Sequence, residues 1–270
     1  FQGAESGLVV WLNGRYVGFS EDSFTPSDFE LTPYLKEGEN KLAVQVFKWT
    51  IGSWCEDQDF FRFSGLFRSV FLYSIPKVHV SDVKIQTLLS DEMSGDTAPS
   101  ATLQVNLKTV SGVPKDGANG VSGKIRLRLT ELGRLDKCAG AVRERAVIFE
   151  KEERLSGENE FRYEVEQPKL WSAECPYLYE LSAEVLDEDG RVLEVFAQKV
   201  GFRRFAMKDG IMCLNGRRIV FKGVNRHEFS CESGRALNLS ETLCDIVTMK
   251  QNNINAIRTS HYPNSTGIYE

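Results

Sequence analysis

Two histidines, His227 and His261, each stand just past a short apolar stretch of β type. Arg218-Ile219-Val220-Phe221-Lys222-Gly223-Val224 runs into Asn225-Arg226-His227-Glu228, and Asn255-Ala256-Ile257-Arg258-Thr259 runs into Ser260-His261-Tyr262-Pro263. A neutral imidazole offers one donor and one acceptor, which suits adjacent hydroxyl groups on a ligand. His227-Glu228 does not begin a zinc-binding H-E-x-x-H pattern, because the residue four after His227 is Cys231. Two arginines, Arg226 and Arg258, lie in or beside the same stretches. A guanidinium buried among strands needs a carboxylate partner, so both are read as structural or as orienting groups near a site. Upstream, Asp57 and Asp59 lie in a loop with Trp54, Phe60, Phe61 and Phe63. An acidic loop of this kind is usually solvated surface, and Asp57 reads as a loop or interdomain contact.

The elements that must position these residues are legible. Between the two stretches, Leu239, Leu243, Ile246 and Val247 form a helical apolar stripe, opened by Asn238 or Ser240 and ended at Asn252-Asn253. Strands joined through a helix run parallel, so their C-terminal ends lie on one face. The two histidines can therefore meet over one ligand, in the manner of the opening of a (β/α)8 barrel.

The 38 acidic and 33 basic residues give a formal net charge of −5 with no basic run, which disfavours a nucleic-acid partner. No apolar stretch approaches a membrane span; Val70-Phe71-Leu72-Tyr73 is only strand-sized. The six cysteines, at 55, 138, 175, 213, 231 and 244, form no C-x-x-C pair and read as free, buried thiols. A reducing cytoplasm is the expected location. Of the sequons at Asn238 and Asn264, the first reads as a helix cap. Phe1 already sits inside an alternating pattern, so the sequence reads as an internal piece of a longer protein.

Residues 1–76 are strand-rich. Asn13-Gly14 between Val9–Leu12 and Arg15–Phe19 is a two-residue hairpin signal that sets Trp11 opposite Tyr16. Phe29–Leu35 reads as a turn or short helical piece, and Lys41–Phe47 as a further strand. Residues 77–204 alternate in Val78–Leu89, Ala101–Val110, Val121–Leu132, Phe161–Val165, Tyr179–Leu186 and Val192–Val200, separated by turn formers. About seven short strands there suggest an immunoglobulin-like sandwich that acts as a spacer. Residues 205–270 start with a hairpin turned at Asn215-Gly216 and continue into the βαβ unit. The expected fold class is mainly β and multidomain: a partial jelly-roll sandwich, an immunoglobulin-like sandwich, and the first βα units of a truncated TIM (β/α)8 barrel.

Three stretches carry a family resemblance. Gly223-Val224-Asn225-Arg226-His227-Glu228, with Met249–Asn253 and Ile257–Asn264, resembles the opening of the catalytic barrel of family 2 glycoside hydrolases. Glu56-Asp57-Gln58-Asp59-Phe60-Phe61-Arg62-Phe63-Ser64-Gly65-Leu66-Phe67-Arg68 resembles the end of that family's sugar-binding jelly roll, and its Asp-Gln-Asp run is similar to the large bacterial β-galactosidases. Leu170–Glu174 with Pro176–Tyr179 resembles their immunoglobulin-like domain.

The resemblance implies a retaining enzyme that removes terminal β-D-galactose, as from lactose, and that His227 and His261 contact the galactosyl unit. It implies that Asp59 binds both a sodium ion and a galactose hydroxyl, tasks that suit a carboxylate's hard oxygens. Magnesium ligands and both catalytic glutamates are expected beyond residue 270; neither Glu228 nor Glu270 matches a catalytic position. Retaining hydrolysis needs two carboxylic acids about 5 Å apart, so the 270 residues alone are expected to be inactive. A homo-oligomer such as a tetramer fits the resemblance. The alternatives are another family 2 enzyme, a β-glucuronidase or β-mannosidase, and a non-catalytic carbohydrate-binding β-sandwich protein. The Asp-Gln-Asp run argues against the first, and the βαβ tail has no purpose in the second.

Overall fold

A computed structural model of the chain describes residues 1–58, 61–90, 98, 100–111, 122–134 and 146–269. The chain divides into two compact units, one made of residues 1–73 with 221–270 and the other of residues 74–220.

In the first unit, strand Gly7–Leu12 lies between Arg15–Ser20 and Leu42–Phe47 in an antiparallel sheet. Its hairpin turns through Asn13 and Gly14, at φ of 54° and 80°, the left-handed pair that matches strand twist. Trp11 pairs with Tyr16 in register, and their rings meet edge to face at 6.4 Å. Leu8 and Val10 point into a small core with Ala4, against which Phe1, Val17, Phe29, Val44 and Val46 pack. The Phe29–Leu35 segment contains one 3-10 turn, Thr32–Tyr34. Strand Ala4–Glu5 pairs with Gly65–Leu66, which brings Glu5 beside the loop that precedes Gly65.

The same unit holds the parallel pair. Gly223–Arg226 and Ala256–Thr259 are in register from Gly223 opposite Ala256 to Arg226 opposite Thr259. The first strand begins five residues later than the apolar run suggests; Val220 and Phe221 stay about half exposed outside it. Close approach explains where pairing starts: a Cβ on Gly223 would come within 3.2 Å of the Ala256 carbonyl oxygen. The connecting helix, Leu239–Gln251, opens on Asn238, whose side chain accepts from the Glu241 amide while Glu241 accepts from the Asn238 amide. That capping box explains the Asn238 sequon as a helix start.

The second unit contains a seven-stranded sandwich. One sheet runs Glu158–Glu166, Ser100–Ser111, Val78–Leu89; the other runs Val192–Val200, Tyr177–Leu186, Lys124–Arg134, Val147–Arg154. Alternate residues of both sheets, including Leu103, Val105, Leu107 and Phe161 against Ile125, Leu127, Leu129 and Leu181, form one core. Strand Val147–Arg154 escapes sequence reading because Glu150–Arg154 are all charged. Cross-strand pairing holds them instead: Glu150 meets Arg128 at 2.6 Å and Glu152 meets Arg126 at 3.0 Å and Lys124 at 2.7 Å. A three-stranded meander follows, Phe205–Lys208, Ile211–Leu214 and Arg217–Arg218, turned at Asp209-Gly210 and Asn215-Gly216.

Val70–Tyr73, too short for a membrane span, lies outside any strand with all four side chains exposed. One expectation fails. The thiols are free but mostly not buried: Cys55, Cys231 and Cys244 are exposed and only Cys213 is buried, while Cys138 lies outside the described residues. Leu129 has no exposed surface, so Leu129→Ala is expected to cost about 2–5 kcal/mol, the range for a buried leucine that leaves a cavity. Urea unfolding of the protein measures it.

Candidate functional site

The parallel register ends together at Arg226 and Thr259, and His227 and His261 follow one and two residues later. Their rings stand edge to face with centroids 5.8 Å apart, and both side chains face solvent. Two exposed imidazoles from two loops thus lie side by side.

Behind the exposed pair the site is dry and charged. Arg226, with 4% of its side chain exposed, donates from Nε to Asp245 Oδ2 at 2.9 Å and from Nη1 to Asn264 Oδ1 at 3.0 Å. It therefore ties its own strand to the helix and to the loop after His261. Arg258 is exposed and donates to Asn225 Oδ1 at 3.4 Å. With only two parallel strands present, its face of the sheet is open to water, so no buried carboxylate is required there.

Glu228 is committed elsewhere. Its side chain is 3% exposed; Oε2 accepts from Arg68 Nη2 at 2.6 Å and Oε1 from the Ser265 amide at 2.9 Å. The Glu228 amide donates to the Tyr262 hydroxyl at 3.2 Å. Arg68 also donates to the carbonyls of Pro263 at 2.8 Å and Phe24 at 2.6 Å. A second arginine reaches the other way. Arg235, 4% exposed, donates to the Phe61 carbonyl at 2.8 Å and lies 3.7 Å from Glu5, with Phe24 and Tyr262 each 5.2 Å from its guanidinium carbon. Phe24 in turn stacks on Tyr262 at 4.3 Å.

Asp22 sets the loop that presents Phe24. Its carboxylate accepts from the Phe24 and Thr25 amides, both at 3.0 Å, and from the Thr25 hydroxyl. Partial burial pushes the Asp22 carboxyl up, but the Thr25 and Phe24 hydrogen bonds outweigh it, aided by the Arg68 charge, and hold it below the ordinary carboxylate range.

The structure brings His227, His261 and Arg226 close together, as the sequence suggests, whereas the parts played by Arg68, Arg235 and Glu228 are not anticipated from sequence. The only local signal is a charged residue set in an apolar run, as at Leu66-Phe67-Arg68. Asp57 pairs with Arg62 at 2.6 Å and is exposed, a loop contact. Asp59, named from sequence for galactosyl and sodium binding, lies outside the described residues. Among those that are described, no group of three His, Cys, Asp or Glu side chains converges to hold a metal ion. No described helix is long and apolar enough to cross a membrane.

Two β-sandwich pieces followed by a parallel βαβ unit with histidines at its strand ends define the class. The chain matches three models of one family: "Glycosyl hydrolases family 2, sugar binding domain" over residues 1–76, "Glycosyl hydrolases family 2" over 78–203, and "Glycosyl hydrolases family 2, TIM barrel domain" over 205–270. It belongs to glycoside hydrolase family 2. Over its whole length it is 46% identical to the β-galactosidase of Halalkalibacterium halodurans and 46% identical to that of Streptococcus thermophilus. It spans about a quarter of each, 25% and 24%. Among solved structures, Bifidobacterium dentium β-glucuronidase superposes with a TM-score of 0.79 at 24% identity, over all of this chain and 46% of that one. That likeness establishes the shared fold.

The depressed Asp22 carboxyl gives a pH test. A group whose folded value lies below its unfolded value stabilises fully above the unfolded value, and the contribution is lost as pH falls through the folded one. The difference in thermal midpoint between the unsubstituted protein and Asp22→Asn is expected to hold near neutrality and shrink as pH falls from about 5 to below 3.

Proposed function

We propose that the protein carrying this chain is a retaining β-galactosidase. On this reading it cleaves terminal non-reducing β-D-galactose from galactosides such as lactose. The observation that carries this is the histidine pair, 5.8 Å apart at the ends of two parallel strands, in a chain 46% identical throughout to β-galactosidases. The likeness to β-glucuronidases is at 24% identity, far lower, and bears on architecture alone. In this reading His227 and His261 hydrogen-bond the galactosyl hydroxyls, and Asp59 adds a carboxylate to the same sugar and to a sodium ion.

The chemistry of retention constrains the rest. One carboxylic acid protonates the leaving oxygen while another, about 5 Å away, attacks the anomeric carbon. Glu228 is unsuited to either role, since its oxygens are held by Arg68 and the Ser265 amide. We assign to these 270 residues part of the sugar-binding wall, and to other parts of the whole protein the catalytic pair and the magnesium ligands.

The whole protein is expected to hydrolyse o-nitrophenyl β-D-galactoside in preference to the matching glucuronide and mannoside, and the isolated 270 residues to show no turnover. Preference for the glucuronide would overturn the assignment. In the whole protein, His261→Ala and His227→Ala are each expected to lower kcat/KM about 5- to 150-fold, the equivalent of about 1–3 kcal/mol for leaving a polar partner unpaired. Steady-state kinetics with the same substrate measures both.

A further inference from the structure

We infer that Arg68 and Glu228 form a positioning clamp through which the sugar-binding domain sets the separation of His227 and His261. The inference rests on the galactoside reading above and names residues that reading does not use. The two histidines sit on separate loops, and the parallel strands fix only where those loops begin. Beyond residues 226 and 259 the chain has left the sheet, and something else must hold the rings 5.8 Å apart.

Besides the bond from Arg226 to Asn264, the contacts that do so converge on one ion pair. Glu228 is bonded to His227 in sequence, and its Oε1 takes the amide of Ser265, four residues after His261. Its own amide meets the hydroxyl of Tyr262, the residue next to His261. Arg68 holds Glu228 Oε2 and the Pro263 carbonyl with one nitrogen, Nη2, and the Phe24 carbonyl with the other. The residue after His227 is thus one half of the ion pair, and on the other loop the pair holds Pro263 and Ser265, two and four residues after His261. The side chains of the pair are 7% and 3% exposed. A planar fork suits this task and an ammonium does not, because the donors must point at several fixed acceptors at once.

The clamp and a merely stabilising ion pair differ in one measurable respect. Replacing a buried pair by apolar residues of similar size often leaves stability unchanged, since the desolvation cost vanishes along with the attraction. Such a replacement keeps the fold but removes the directed bonds to Ser265 and Pro263. In the whole protein, we expect Glu228→Gln, Arg68→Lys and the double variant Arg68→Met/Glu228→Leu to raise KM for the galactoside about tenfold or more. The same variants should leave kcat within about threefold, the pattern of lost ground-state binding. Inhibition by a non-hydrolysable thiogalactoside is expected to weaken in parallel. The double variant should recover the thermal midpoint lost in the single ones without recovering affinity.

Recovery of both midpoint and affinity in the double variant would overturn the clamp, as would unchanged KM in all three. Leu129→Ala, remote in sequence and in the other compact unit, controls for lowered stability and should leave KM unchanged. If the unsubstituted protein neither binds the thiogalactoside nor turns over the galactoside, the functional reading fails instead. Crystal structures then decide the clamp separately: the ring separation is expected to widen in the double variant, and an unchanged separation would sink it.

Discussion

The buried contact between Arg68 and Glu228 is the constraint on which the first compact unit turns. Their sequence separation is 160 residues, and both side chains are almost wholly withdrawn from water. Desolvating two such charges costs several kcal/mol each, so the pair persists only where the remaining donors and acceptors are also satisfied. Here most of them are: one carboxylate oxygen takes a backbone amide, and the guanidinium takes the carbonyls of Gln2, Phe24 and Pro263 beside the carboxylate, while Arg68 Nε is buried without a partner. Removing either partner would strand a charge in a place that water does not reach.

A reciprocal arrangement completes the join. Arg235, from the loop after the first parallel strand, reaches the Phe61 carbonyl and the Glu5 carboxylate. The aromatic rings of Phe24 and Tyr262 lie on either count within cation–π range of its guanidinium. Each of the two sequence segments that make this unit thus sends an arginine to a buried acid of the other. The histidines stand beside this buried layer, exposed and edge to face.

Legibility in the sequence followed the range of the interaction. Asn13-Gly14 and Asn215-Gly216 turn where their dipeptides demand, and Trp11 meets Tyr16, because hairpin register is a local consequence of the turn. Strands Val78–Leu89 and Val192–Val200 have the bounds that alternation assigns them. Val147–Arg154 was hidden because its partners, Lys124, Arg126 and Arg128, lie on another strand and supply the reason for its charges. Arg258 is exposed because a mid-strand guanidinium is buried only where that face of the sheet is covered.

The sequence by itself determined the sandwiches, the parallel βαβ unit, the shared end of the two histidines and the family likeness, all of which rest on periodicity, turn chemistry or contiguous motifs. Only the tertiary structure decided what Glu228, Arg68 and Arg235 do. A carboxylate after a histidine reads equally as an acid, a ligand or a strut. The choice is made by desolvation and by whichever guanidinium arrives from 160 residues away, and no local pattern encodes that meeting.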